Sequence, residues 1–497
     1  MPLLAKYINT NNTARIVFIT AIFLVSLSVN AQTFEEKYKS FKGAVIQDYI
    51  DFRKKANEDY AAFMKEAWRQ YKIAPKVMLP KDYEQPPVDY EGKQNKENNP
   101  IDYEGIVPHQ NTSPKPQPKP VAPIRENDKN QHYFSFVFYG TEMKVRYNPS
   151  LAVKLTIVDG KTLGDVWKKL SSEEYDNLIR DCLELRIRYN LCDWAYYKML
   201  EVFALAACGI GTNEAVILQA YLYAQSGYKM RLALTEQGKL LLLFNSVNMI
   251  FDLCGLKLDD GFFYTTEQLK EGEGLNVCDE PFPNESPMSL TVCEPALTAD
   301  YSPYRTIKAK SCPVETKSRV NKNLMAFFND YPASCAEDNF MTRWRYYAEV
   351  SLADDVRQEL YPQISKAIHN NNKLAAANML LNYVQTGFEY EYDDKVWGHD
   401  RVFFAEETLY YPYCDCEDRA ILYSRMVRDL LDLDVVLVYY PGHMCAAVNF
   451  EDGAHGDYLI LDGKTYTIAD PTYIGAPVGA TMPGMDNKTA KVILLKK

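Results

Sequence analysis

The sequence predicts an α+β chain, and three observations carry that prediction. Apolar residues recur at helical spacing through long stretches without Gly or Pro. Short runs rich in Val, Leu and Tyr, bounded by turn residues, read as strands. A helix–strand–turn–strand rhythm occurs twice, near residues 212–240 and 416–444. With 497 residues, 47% of them apolar, the chain can bury at least two cores and is long enough for about three domains.

In chain order, Lys6 and Arg15 precede the apolar run "IVFITAIFLVSLSV", and small residues stand at Val29 and Ala31. That pattern predicts a secretory signal over residues 1–31, cleaved after Ala31. A retained anchor is the alternative, but the run is shorter than the roughly 20 apolar residues a span needs. The expected location is therefore periplasmic or extracellular, with no integral membrane span after signal removal. "LLLLFNSVNMIF" is interrupted by Asn245 and Asn248 and reads as core. Losing Lys6 and Arg15 and no acid moves the net charge from −11 to −13. An acidic chain argues against nucleic acid and anionic membrane surfaces as partners.

Residues 32–73 have few breakers and an apolar stripe (Phe41, Val45, Ile46, Tyr49, Phe52, Tyr60, Phe63, Trp68), which predicts one long docking helix. Residues 74–129, rich in Pro, Asn, Lys and Glu, read as an extended linker that cannot bury a core. They contain a small repeat, "PVDYEG" and "PIDYEG". Helix and linker together are the expected contact with an envelope protein partner. Residues 130–275 open with strand text, "HYFSFVFYGTEMKVRY", then helical text to about Gly227, then "YKMRLAL" and "KLLLLF" as strands. Residues 276–344 are proline-broken and read as a β-rich connector. Residues 345–497 return to helices and hold the chemistry.

That chemistry begins at "YYPYCDCEDRAILYSRMVRDLL" from Tyr410. Cys416 opens an amphipathic helix with Glu417 and Asp418 in its first turn, where acids are favoured. "DVVLVYY", a turn at Pro441-Gly442 and "HMCAAVNF" follow, so His443 begins a second strand; Asp470 ends a later one, before Pro471. The three types have a joint use. Only the thiolate attacks an acyl carbon well, and helix N–H groups and an imidazolium both stabilise it. The imidazole can then protonate a leaving amine, and a carboxylate behind it fixes its tautomer. Asp415, Glu417 and Asp418 act the other way, holding the proton on sulfur, so His443 has to outweigh them.

"CDCEDRAIL", "PGHMCAAV" and "IADPTY", in this order, resemble the transglutaminase-like branch of the papain-like cysteine enzymes, over residues 345–497. The resemblance implies a Cys-bearing helix packed on an antiparallel sheet that bears His and Asp. It assigns Cys416 as nucleophile, His443 as base and acid, and Asp470 as orienting carboxylate, acting on a peptide or protein amide without a cofactor. Water as acceptor makes the chain a cysteine peptidase, the favoured reading; a lysine amine makes it a protein-glutamine acyltransferase. Cys414 replaces the family's usual Gly, and Cys445 a frequent Trp. Oxyanion donors are expected from the Cys416 backbone N–H or from Gln385.

Alternatives stay open on the residues themselves. Cys414, Cys416, His443 and Cys445 offer a Cys₃His zinc set, or a structural disulfide. The eleven cysteines are odd in number, so oxidation leaves at least one thiol. Setting "TNEAVILQAYLYAQSGYKMRLALTEQGKL" under the Cys416 segment places Thr212 on Cys416, Gly238 on Gly442 and Lys239 on His443; a shift then places Gly261 on Gly463 and Tyr264 on Tyr466. Residues 130–275 thus read as a degenerate sister domain, and a non-catalytic scaffold of the envelope is the competing function.

Overall fold

The computed structural model describes residues 47–80, 85–92, 98–107, 124 and 126–496. The expected signal segment and the start of the first helix lie outside these residues. Among the described residues no helix is long and apolar enough to cross a membrane.

The fold is mixed α+β, built on two largely antiparallel sheets with helices packed against them. Five strands of the first sheet lie in the order Gly274–Cys278, Met230–Thr235, Leu240–Asn245, Gly261–Thr265 and Cys254–Leu258. Five strands of the second lie in the order Lys491–Leu494, Val435–Tyr440, His443–Asn449, Lys464–Ala469 and Asp457–Leu461. The two orders correspond strand for strand, and every neighbouring pair is antiparallel. A helix precedes each central hairpin and packs on it: Asn213–Gln225 in the first half, Cys416–Leu431 in the second. A second helix backs each of these, Asp193–Cys208 and Lys373–Gly387 respectively.

Both sheets are covered on both faces, which is why Leu240–Asn245 and Val435–Tyr440 are buried throughout and read as continuous apolar runs. One face of each meets the main core between the helices. The other faces form separate apolar clusters, to which the N-terminal segments contribute: Ile73, from the end of the expected helix, joins the first, and Ile101, from the expected linker, joins the second.

Those segments correct two expectations. The first helix runs over 47–63, and Trp68–Lys72, read as its continuation, is an edge strand antiparallel to Gly274–Cys278. "WRQYK" lacks a breaker, so periodicity extends the helix; the open sheet edge decides otherwise. Nor is 74–129 a free tether where it is described. Val88–Asp89 pairs with Tyr473–Ile474, Asn99–Pro100 with Asp457–Tyr458, and Gly105–Val107 with Lys491–Ile493, all in parallel. Pro100 is tolerated because it sits at a sheet edge. Burying Ile101 alone contributes about 2 kcal/mol, so the second "DYEG" repeat is a clasp on the sheet.

The helix over 47–63 docks on its own chain. Arg53 bonds Asp176 at 2.7 Å, and Tyr60 packs on Trp167 with ring centroids 4.9 Å apart. The region expected to be a β-rich connector holds one hairpin, Arg305–Lys308 with Glu315–Ser318, and the helix Lys322–Asn329; much of the rest is irregular. Residues 276–278 belong to the first sheet.

Candidate active site

Two short strands, Glu389–Tyr390 and Tyr413–Cys414, pair in parallel and deliver the chain to the start of the Cys416 helix. The Cys414 thiol donates to the Glu389 carbonyl at 3.6 Å and so anchors the entry strand. Asp415 caps the helix. Its carboxylate accepts from the Asp418 N–H at 3.3 Å, and Asp418 accepts from the Asp415 N–H at 3.4 Å. Asp418 also accepts from the Phe403 N–H at 2.8 Å. Burial first, then the neighbouring Glu417 charge, pushes the Asp418 carboxyl well above its ordinary range. Cys416 follows as the first helical residue, buried, its thiol donating to Glu417 Oε2 at 3.1 Å.

His443 opens the strand after a two-residue turn whose Gly442 takes φ +76°, the left-handed conformation glycine adopts without strain. Its Nε2 donates to Asp470 Oδ2 at 2.8 Å, both groups being buried. Asp470 cannot swing, because its other oxygen accepts from the Thr472 and Tyr473 N–H groups at 2.9 and 3.2 Å. Gln385 locks the same turn, donating to the carbonyls of Asp470, Tyr473 and Ala476 and accepting from the Gly475 N–H. Both ends of the Gln385 amide are thus committed, so it is a positioning residue and not the oxyanion donor expected. Arg419, one turn past Cys416, donates to the Phe388 carbonyl at 2.9 Å and ties the helix to this region.

With Nε2 taken, the free nitrogen of His443 is Nδ1, which is buried and has no hydrogen-bond partner among the described residues. Cys416 and His443 line one cavity of about 500 Å³. Trp344 forms part of its wall, stacked on Tyr439 at 5.1 Å, and its buried indole N–H likewise has no partner among the described residues. Tyr440 stacks on His443 at 6.4 Å. Trp344 and Tyr439 supply the aromatic wall of the cavity, while Tyr440 belongs to the separate cluster that holds Cys445. Trp344 lies far from Cys416 in sequence and carries no local motif, so no pattern could have singled it out.

Met78, Leu79 and Pro80 also line the cavity. The segment is held at both ends, Val77 accepting from the Asp252 N–H at 2.9 Å and Gln85 donating to the Gly442 carbonyl at 2.8 Å.

The zinc alternative does not assemble. Among the described residues, the one group of three ligating atoms within 4.8 Å of each other is Asp415, Cys416 and Glu417. Cys445 lies in the apolar cluster on the sheet face away from the Cys416 helix, and Cys414 is engaged by Glu389. All eleven cysteines are free thiols.

The first half has a cavity at the corresponding place, about 250 Å³, lined by Asn213, Lys239 and Glu267. Helix caps set the correspondence: Thr212 is the cap, like Asp415, so Asn213 and not Thr212 takes the place of Cys416. Gly238, at φ +78°, matches Gly442 and brings Lys239 to the place of His443. Counting from the hairpin turns, Gly261 begins its strand as Lys464 does, one residue beyond the expected match with Gly463, and Glu267 falls where Asp470 stands. Lys239 and Glu267 form an ion pair at 2.6 Å, and Asn213 bridges the Gly238 carbonyl and the Leu240 N–H at 3.0 and 2.8 Å.

Comparison with family models, curated proteins and solved structures finds no match to this chain.

Proposed function

We propose that the chain is an exported, transglutaminase-like cysteine enzyme that cleaves a peptide or protein amide through Cys416, His443 and Asp470. One observation carries the reading: the buried Nδ1 of a His443 already fixed by Asp470 has no partner among the described residues, in the cavity that Cys416 also lines. In the mechanism this supports, the Cys416 proton passes to His443 Nδ1 and the sulfur attacks the amide carbon, forming a C–S bond. The oxyanion accepts hydrogen bonds from the Trp344 indole and from the Cys416 backbone N–H at the helix start. The imidazolium protonates the amine as the C–N bond breaks, leaving a thioester. Water, deprotonated by His443, then breaks the C–S bond and restores the thiol.

A scaffold is the second reading, and the contact between the Cys416 thiol and Glu417 favours it, because that bond keeps the proton on sulfur. Labelling of the purified protein with a thiol-directed electrophile, read by peptide mapping, separates the two. Catalysis requires label on Cys416, lost in Cys416→Ala and strongly slowed in His443→Ala. Equal labelling in His443→Ala assigns the scaffold.

A further inference from the structure

The cavity around Cys416 is lined by five carboxylates: Asp252, Asp393, Asp394, Asp400 and Glu417. They are not equivalent. Asp400 is neutralised by Arg343, which it holds through both oxygens at 2.8 and 3.1 Å. Arg343 is further packed against Trp344 and Phe340, its guanidinium 4.3 and 4.4 Å from their ring centres, so it has no charge to spare for an incoming anion. Burial, then Asp418 and Glu417, pushes the Asp393 carboxyl up to about 10, which leaves it neutral.

Asp252 and Asp394 differ from these. Neither side chain makes a hydrogen bond or ion pair among the described residues. Asp252 reaches the cavity from the first half of the chain on a backbone at φ +60°, a conformation that non-glycine residues adopt infrequently. It is half-buried, and burial raises its carboxyl above the ordinary range, an effect that Lys76 and His399 only offset in part. A negative group partly withdrawn from water without a partner is a standing cost, and a cation placed there removes it. Beside His399 and the proposed catalytic groups, the rest of the lining includes an apolar set, Met78, Leu79, Pro80, Trp344 and Tyr439. An alkyl chain ending in a positive charge matches both parts, its stem on the apolar set and its head between the acids.

Resting on the catalytic reading above, we propose that this cleft selects amide substrates with a lysine- or arginine-type side chain beside the scissile bond. The cationic group stays charged and takes no part in bond making; its contacts with Asp252 and Asp394 place the carbonyl at Cys416.

Peptidyl electrophiles identical except for a lysyl, norleucyl or glutamyl side chain test this, with labelling rates at Cys416 read by intact mass. The lysyl probe should react about 10-fold faster than the norleucyl one, the size two partly exposed charge contacts give, and the glutamyl probe most slowly. In Asp252→Asn/Asp394→Asn the lysyl-to-norleucyl ratio should fall to about 2 or below. Equal rates in the wild type, or a ratio that the double variant leaves in place, overturn the proposal. Calorimetry with the matching peptide amides on Cys416→Ala keeps the question separate from catalysis. Tighter lysyl binding that the Asp252 and Asp394 changes abolish supports charge selection even where no probe labels Cys416, and equal binding refutes it.

Discussion

Helix Asn213–Gln225 and helix Cys416–Leu431 begin at matching ends of matching sheets, yet the side chains there do different work. In the first half Asn213 spends both ends of its amide on the adjoining hairpin, and Lys239 meets Glu267 in an ion pair with each partner nearly half exposed. In the second half the corresponding nitrogen, His443 Nδ1, is buried without a partner among the described residues, and the Asp470 behind it is pinned by backbone donors. One site is closed on itself. The other holds polar capacity in reserve, which a stability-driven interior does not retain without compensation.

The largest test sets one change in each half side by side. Cys416→Ala should lower amide cleavage by at least about 1,000-fold with little loss of stability, as expected for a nucleophile. Asn213→Ala should leave cleavage within about 2-fold yet lower unfolding stability by roughly 1–3 kcal/mol, because the Gly238 carbonyl and Leu240 N–H lose their partner. Steady-state assays and urea titrations on both variants read this. A catalytic loss in Asn213→Ala would mean the halves are functionally coupled.

A second test concerns the aromatic wall, which only one cavity has: the first-half cavity is lined without any aromatic residue. Trp344→Phe keeps the stacking on Tyr439 and removes the indole N–H. If that donor serves the oxyanion, kcat should fall about 100-fold while KM stays near its original value. A change confined to KM would make Trp344 a substrate wall only.

The halves also differ in how they bury charge. The first pairs its buried arginines, Arg231 with Glu285 at 2.8 Å and Arg186 with Asp193 at 2.6 Å. The second buries carboxyls in excess. Burial lifts Glu406, which also feels Glu294, to about 8. Burial lifts Glu407 to about 7, against the opposing pull of Arg401. Both lie above the ordinary value of 4.5, so the folded state keeps protons that the unfolded chain releases. These groups therefore favour folding most at acid pH, and that contribution is lost as pH rises through 7 to 8. Thermal unfolding should show a higher midpoint at about pH 5.5 than at about pH 8. Glu406→Gln should raise the midpoint at the alkaline end and flatten the dependence. A midpoint that climbs with pH over this range would contradict the assignment.

Much of this arrangement is legible from residues alone, for physical reasons. The order Cys416, His443, Asp470 can be read because each sits at an element boundary that local chemistry marks: a capped helix start, a Pro-Gly turn, an Asp-Pro turn. The repeated helix–hairpin rhythm can be read because the hairpin glycines, Gly238 and Gly442, both take positive φ. What local text cannot carry is pairing between distant segments. Trp68–Lys72 becomes a strand only because Gly274–Cys278 offers it an edge. The three short linker strands are too brief to register as strands without the pairing partners beside them. Trp344, Asp252 and Met78 reach the cleft from three separate regions, and the competing use of Gln385 is visible only once the Asp470 turn is folded around it.

The smallest expected effect concerns the half that lacks the proposed triad. Lys239 and Glu267 occupy the places of His443 and Asp470, but each is nearly half exposed. Exposed pairs of this kind contribute about 0–1 kcal/mol, because water screens the attraction and two long side chains must be ordered. Lys239→Met should therefore shift stability by less than about 1 kcal/mol, a difference that shrinks further in 1 M salt. Breaking the buried counterpart through Asp470→Ala leaves a buried imidazole without its partner and should cost about 3 kcal/mol. Urea midpoints for the two variants at low and high salt decide this. If both changes cost the same, the contrast between an open surface pair and a sealed, pre-oriented one fails. The orienting role given to Asp470 would then need another basis.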